Sequence, residues 1–219
     1  MTSNDAFTPA LGRPEWTGFY DIAIAIATRE GRWRRALLDE IAPQSDELIV
    51  DVGCGTGTML LALKARSPGS RLVGLDPDPA VLARAEQKMR GRIDDIALLV
   101  GFARDAARLA PDADKVFSSL VFHQVPMAEK RAGFGAIFAA LKPGGAFHLC
   151  DYGLQRTALM RTLFKQVQNL DGFENTEPNA RGVLPALLHQ AGFSDVEERL
   201  VVPTPTGSIS IYFARKPAL

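Results

Sequence analysis

The stretch "LIVDVGCGTGTMLLAL", residues 48–63, places three glycines in five positions between a β-branched run and an apolar helical pattern. Such a joint reads as strand, glycine turn and helix. Gly53, Gly55 and Gly57 allow backbone angles, and a close approach of another molecule, that a β-carbon would block. The helix start beyond them offers unpaired N–H groups and a partial positive charge. A dinucleotide, a phosphate and another adenosine-containing molecule all suit that description, and the spacing separates them. The dinucleotide fingerprint G-x-G-x-x-G needs glycine at position 58, which is Thr58, and no Gly-Lys-Ser/Thr follows to make a phosphate loop. Asp51, a carboxylate at the mouth of the strand, suits a cationic ammonium and opposes a pyrophosphate. Asp76 ends the next apolar run, where a carboxylate can grip two ribose hydroxyls, a feature shared with dinucleotide binders.

Outward from this joint the chain alternates. "ELIVDV", "RLVGLD", "IALLVGF", "KVFSSLVFH" and "AFHLCDY" read as strands. Between them, "TGTMLLALKARSPG", "PAVLARAEQKMRG" and "MAEKRAGFGAIFAAL" carry helical spacing, and "KPGG" reads as a turn. Upstream, Gly31 is expected to separate two short helices, the second with Trp33, Leu37, Leu38 and Ile41 on one face. Downstream, "RTALMRTLFKQVQNL" and "VLPALLHQAG" are helical patterns, "FENTEPN" a polar loop, and "VEERLVV" and "SISIYFARK" two strands around "PTPTG". So short a connection forces the last two strands to pair antiparallel. The expected fold is α/β: a Rossmann-like, doubly wound, mostly parallel sheet ending in an antiparallel hairpin. One domain covers 1–219. It divides into an N-terminal helical cover (1–45), a ligand-binding core (46–152), a helical insertion that could roof a substrate pocket (153–192) and the hairpin (193–219).

Composition narrows the function classes. The 219 residues hold 25 basic and 25 acidic side chains, so no charge excess points to nucleic acid or an anionic membrane surface. Cys54 and Cys150 lack metal-ligand spacing and read as reduced thiols, no metal site is expected, and "MTSNDAFTPALGRPEW" lacks a signal-peptide pattern. No run reaches the roughly 18 apolar residues of a membrane helix. The expectation is a cytoplasmic protein with a small-molecule substrate. Its oligomeric state is open between a monomer and a homodimer.

The motifs "VDVGCGTG", the acid in "GLDPDP", "GFARDA", "DKVFSSLVFHQV" and "LKPGGAFHLCDY" occur in order over residues 47–152. Together they resemble the class I S-adenosylmethionine-dependent methyltransferases, which carry a seven-stranded sheet. Within that family they are most similar to the ubiquinone and menaquinone biosynthesis methyltransferases and their small-molecule relatives. The resemblance implies S-adenosyl-L-methionine as cofactor and S-adenosyl-L-homocysteine as its product. It places the loop of Gly53, Cys54, Gly55 and Gly57 around the methionyl end, Asp51 near its amino group, and Asp76 on the ribose. Pro77 and Asp78 would border the adenine. The common pattern has an acid after the glycine that follows the third strand. Here Phe102 follows Gly101, so Phe102 and Ala103 are read as an apolar wall, with backbone or Asp105 taking the polar contact. Ser118 and Leu120 would pass the methionyl chain.

The sulfonium methyl is already activated, so a protein that aligns an acceptor behind it needs no conspicuous catalytic side chain. His123, on the rim after the fourth strand, is the candidate general base and lies near the cofactor; the alternative is that it caps a turn or packs. His148 and His189 read as structural. Trp16 and Tyr20 are candidates for contact with substrate, and Tyr20 also with the methionyl group, against simple packing. Asp151 and Tyr152 divide between substrate contact and loop anchoring. Cys54 reads as a small loop residue. Two other functions compete: a non-catalytic cofactor-binding partner protein, and an NAD-dependent oxidoreductase, which the glycine spacing disfavours.

Overall fold

The computed structural model describes residues 29–90 and 96–218. The elements in chain order are α1 (Glu30–Ile41), β1 (Leu48–Val52), α2 (Thr58–Arg66), β2 (Arg71–Asp76), α3 (Pro79–Met89), β3 (Ile96–Val100), α4 (Ala106–Leu109) and β4 (Ala113–Ser119). They continue with α5 (Met127–Ala140), β5 (Leu141–Tyr152), α6 (Ala158–Asp171), α7 (Phe173–Ala180), α8 (Leu184–Gln190), β6 (Ser194–Thr204) and β7 (Gly207–Arg215). Seven strands form one sheet in the order β3-β2-β1-β4-β5-β7-β6. The first five run parallel and β7 pairs antiparallel with both β5 and β6, as the short hairpin connection requires.

Period-two alternation along the strands divides the interior in two. Ile49, Phe117 and Cys150 face a core built with Trp33, Leu37 and Ile41 of α1, Leu60 and Leu63 of α2, and Phe164 of α6. Val50, Val52, Val116 and Phe147 face the other, with Phe134 and Ile137 of α5 and Leu187 and Leu188 of α8. Asp51 therefore shares the face of Ile49 and lies on the α1 side of the sheet. At the reversal between β1 and β4, crossovers leave to opposite faces and a crevice opens at the carboxyl ends of the strands.

Four expectations change. Gly31 lies inside the first turn of α1; a helix ahead of it falls outside the described residues. "KPGG" belongs to β5, where Gly144 takes φ +78° within an irregular pairing between Leu141 and Ala146, so the glycine bends a strand instead of closing a turn. β4 stops at Ser119 because Leu120 is left-handed (φ +57°), and Phe122–Gln124 form a 3-10 turn. "FENTEPN" is helical and forms most of α7, with Pro178 inside it. Its two asparagines reach backbone: Asn179 Nδ2 donates to the Tyr152 carbonyl at 3.0 Å and Asn175 Nδ2 to that of Gln124 at 3.0 Å. Among the described residues no helix is long and apolar enough to cross a membrane.

His148 is structural, as expected, but at a cost. It is 3% exposed, and neither ring nitrogen has a hydrogen-bond partner among the described residues. Burial pulls its pKa down to about 3, aided by Lys115, Arg199 and Arg215. The folded value lies below the unfolded one, so the unfolded chain binds more protons between pH ~6.5 and ~3 and stability falls on acidification through that window. Replacement His148→Leu should raise stability at pH 7 by about 1–3 kcal/mol, by removing the unpaired nitrogens, and flatten the acid slope. Urea unfolding at pH 7 and pH 5 measures both; an unchanged slope would contradict the assignment.

Candidate active site

The glycine turn is shaped by contacts as much as by chain flexibility. Gly53, Gly55 and Gly57 all have positive φ, at +78°, +53° and +70°. A β-carbon on Gly53 would stand 2.2 Å from Cγ2 of Val121, across the crevice, whereas one on Gly55 would meet nothing within 4 Å. The turn thus has one wall fixed against Val121, two residues past the end of β4, and one face open to a ligand. Backbone N–H groups of Gly53 and Cys54 donate to the Leu75 carbonyl at 2.8 and 2.9 Å, which anchors the turn to β2.

Asp76 extends that anchorage. Its Oδ2 accepts from the Gly55 N–H at 2.9 Å and its Oδ1 from the Asp78 N–H at 3.0 Å. A carboxylate has about four lone-pair sites, so two remain for hydroxyl donors. Burial raises the Asp76 pKa, and the two backbone bonds hold it back. Asp78 caps α3 through the Ala80 N–H at 2.8 Å, and Pro77 is half-buried beside it. The Gly101 N–H donates to the Asp76 carbonyl at 3.1 Å, which brings the end of β3 to the same rim.

Asp51 is the exception among these satisfied groups. It is 2% exposed, and its Oδ1 is buried with no hydrogen-bond partner among the described residues. Burial pushes its pKa well above the carboxylate range, with Asp76 adding to the rise and Arg34 of α1 opposing it. An unpaired buried acid at the mouth of an open glycine turn is what a cationic group would complete.

A second cluster stands at the carboxyl end of β4. Asp151 accepts the backbone N–H groups of Phe122 at 2.6 Å and His123 at 3.3 Å through Oδ2, and that of Tyr152 at 2.7 Å through Oδ1. Its Oδ1 also lies 2.7 Å from Nδ1 of His123. The other nitrogen, Nε2, lies 3.3 Å from Oδ2 of Asp171 at the end of α6. Burial disfavours the charged ring, but the two carboxylates more than reverse this and raise its pKa to about 9. Lys130, fully buried, donates to the carbonyls of Phe122, His123 at 3.4 Å and Asn175 at 3.0 Å, stapling the turn to α7. Burial lowers its pKa to about 8, with Asp151 pulling upward.

Residues 50–147 match the family model described as a methyltransferase domain. That stretch, a little under half of the chain, is similar to a methyltransferase domain. A demethylmenaquinone methyltransferase of Thermus thermophilus is 32% identical over 123 residues, 55% of this chain and 54% of that protein. An uncharacterised methyltransferase of Synechocystis is 27% identical over 208 residues, 91% of this chain and 94% of that protein. The chain therefore spans about half the first relative and nearly all of the second. Human N-acetylserotonin methyltransferase, solved in complex with S-adenosylmethionine, superposes with a TM-score of 0.65 at 22% identity, covering 84% of this chain and 52% of that one. That likeness concerns the fold, which is the expected Rossmann-like seven-stranded one.

Within the matched stretch and its surroundings, the structure gathers Asp51, Gly53, Gly55, Gly57, Asp76, Pro77, Asp78 and Gly101 around one crevice. Other expected contacts are redirected. The Cys54 side chain turns into the core beneath Gly74, and burial raises its thiol pKa far above the reactive range. Ser118 is fully buried and spends its hydroxyl on the Val52 carbonyl at 2.7 Å. Leu120 is half-buried and donates its N–H to the Cys150 carbonyl at 2.8 Å, serving the strand end. Phe102 is half-buried with the Arg104 guanidinium 4.2 Å over its ring, and Ala103 begins a short 3-10 turn. Asp105 accepts the Phe102 N–H at 3.0 Å and pairs with Arg108 at 3.2 Å, so its carboxylate holds its own turn.

Asp151 and Tyr152 answer the choice between substrate and anchoring in favour of anchoring: both are buried, and the Tyr152 hydroxyl bonds Thr206 at 2.7 Å. Both His123 nitrogens face carboxylates, which favour its charged form at neutral pH over that of a free base. Trp16 and Tyr20 lie outside the described residues. His189 is exposed. Sequence reading missed Asp171 and Lys130, each an ordinary charge on a helix until the fold brings it to His123.

The His123 arrangement makes a prediction on the ring itself. The stabilising charge is fully present below pH ~6.5 and is lost as pH rises through about 9. NMR titration should show His123 protonated at pH 7.5 in the parent chain. Asp171→Asn should lower that pKa by about a unit or more, since one of two charge partners is gone. An unchanged titration would exclude Asp171 as a partner.

Proposed function

We propose that the chain transfers the methyl group of S-adenosyl-L-methionine to a small organic acceptor at oxygen, nitrogen or carbon, leaving S-adenosyl-L-homocysteine. The observation that carries this reading is the buried, partnerless oxygen of Asp51 at the mouth of the glycine turn. The cofactor's methionyl ammonium would complete that carboxylate, and its ribose hydroxyls match the two lone-pair sites that Asp76 keeps. Gly55 lets the methionyl chain approach the backbone, while Pro77, Asp78, Gly101, Phe102 and Ala103 border the adenine end. A pyrophosphate at the same place would meet the Asp51 charge at close range, which weighs against the NAD-dependent reading. The methyltransferase relatives favour catalysis over a purely binding role. Balanced charge supports a cytoplasmic enzyme with no nucleic acid partner.

When bound, the sulfonium supplies a methyl group on a neutral leaving group. The protein's part is to orient and to handle the proton. The crevice between β1 and β4 holds the donor, and α6 and α7 form the roof under which the acceptor is aligned; alignment supplies up to about 7–11 kcal/mol of barrier reduction. For an acceptor that must lose a proton, His123 is the group to take it. In its neutral form the proton stays on Nδ1, held by Asp151 in the shorter contact, and Nε2 becomes the acceptor. The ring must shed a proton first, so turnover of a hydroxyl acceptor should rise with pH toward about 9.

Calorimetry with S-adenosylhomocysteine tests the reading directly. Binding in the micromolar range, weakened about tenfold or more by Asp51→Asn through loss of a charge-assisted contact, is expected. No binding at millimolar ligand, or a melting temperature raised by NADH instead, would remove it. With labelled methyl donor and a panel of phenols, quinols and amines, His123→Gln should cut turnover by about 10²-fold or more and leave homocysteine-product affinity within twofold. Equal loss of both would make His123 structural.

A further inference from the structure

The buried face of α5 carries a lysine where its spacing calls for an apolar residue. Lys130, Phe134 and Ile137 recur at helical intervals on that face, and Lys130 is 0% exposed. An ammonium taken out of water is costly unless its N–H groups find acceptors. Lys130 has three N–H groups, and three backbone carbonyls accept from it: those of Phe122, His123 at 3.4 Å and Asn175 at 3.0 Å. The first two belong to the 3-10 turn that carries His123. The N–H groups of the same two residues go to Asp151 Oδ2, at 2.6 and 3.3 Å. The peptide unit joining Phe122 to His123 is thus held at both ends, its carbonyl by Lys130 and its N–H by Asp151. α5 also fixes the neighbouring ring: Phe134, one helical turn from Lys130, lies 4.3 Å from Phe122 between centroids. A β-carbon on Gly133 would stand 3.0 Å from that ring, so the helix packs closely there.

A three-residue turn has little order of its own, and the direction of the His123 ring follows the peptide it hangs from. Asp151 holds both that peptide and, through Oδ1, the ring Nδ1 at 2.7 Å. We infer that Lys130 is a positioning residue for methyl transfer: with Asp151 it fixes the peptide that carries His123, and so keeps Nε2 at the rim beside Asp171. The inference rests on the base role proposed for His123 and extends it to a group that touches neither cofactor nor acceptor. The third hydrogen bond, to Asn175 of α7, ties the roof to the same ammonium, and the Asn175 side chain returns a bond to the Gln124 carbonyl at 3.0 Å. Base and roof therefore keep their spacing together. No neutral side chain offers three donors from one atom, which is the chemical reason for a charge at this place in a core.

The experiment is a double-mutant cycle on turnover, with labelled S-adenosylmethionine and an acceptor that the parent chain methylates. Lys130→Met should lower kcat at least about tenfold, because a displaced base loses its alignment, and leave S-adenosylhomocysteine affinity within twofold. In the His123→Gln chain the same substitution should change kcat less than twofold, since the group it positions is gone. Equal losses in both backgrounds would make Lys130 a packing residue and overturn the inference. NMR reads the ring without any acceptor: the Nδ1 proton held by Asp151 should exchange with water at least about tenfold faster in Lys130→Met than in the parent. Equal exchange in the two chains would also overturn it. Should Lys130→Met fail to fold, Lys130→Gln, which keeps two donors and drops the charge, carries the same measurements. His123→Gln turning over at the parent's rate would remove the base role and this inference with it. An impaired His123→Gln beside a parent-like Lys130→Met would sink the inference alone.

Discussion

A carboxylate buried at the end of β1 with one oxygen unpaired sets the terms for this molecule. Removing such a group from water without a partner costs on the order of 1–3 kcal/mol or more. Asp51 stands near the point where crossovers leave the sheet in opposite directions, and its Oδ1 finds no partner among the described residues. The neighbouring groups are satisfied. The turn is tied to Leu75, Asp76 holds Gly55 and Asp78, and Ser118 holds Val52. Within the turn the unpaired oxygen is the one left toward the opening, and a ligand that supplies a cation there gains what folding left unpaired.

The rim beyond β4 follows the opposite logic. Asp151 is saturated by three backbone donors and the His123 ring, and Lys130 ties the same turn to α7. Two carboxylates, the buried Asp151 and the part-exposed Asp171, face the two nitrogens of the His123 ring, and Lys130 donates to carbonyls of the same turn. Removing one member of such a cluster leaves an uncompensated charge, which is why single substitutions there act on titration as well as on packing. α6 and α7 are held over the site by this cluster and by amide contacts to Tyr152 and Gln124. A ligand entering beside Asp171 competes for His123 Nε2, so access and basicity are coupled.

Much of this was legible in residue order. The apolar runs "ELIVDV" and "RLVGLD" put Asp51 in β1 and Asp76 at the end of β2, as the fold has them, because strand position depends on local pattern. The hairpin followed from the short connection. What escaped was long-range. Leu120 carries no mark of a left-handed residue, so β4 looked longer than it is. "FENTEPN" looked solvated because its amides find their partners, Tyr152 and Gln124, only in three dimensions. Asp171 and Lys130 drew no reading, because the fold alone brings them to His123. Asp151 and Tyr152 sat at the right rim, yet the fold uses them as anchors. A residue's partner at long separation is not encoded in its own neighbourhood.

The most direct test is a crystal structure with S-adenosylhomocysteine diffused into the crevice. The account predicts the ligand's ammonium within hydrogen-bond reach of Asp51 Oδ1 and both ribose hydroxyls on Asp76. The same ligand bound elsewhere, or an empty crevice with Asp51 still unpaired at saturating concentration, would contradict it.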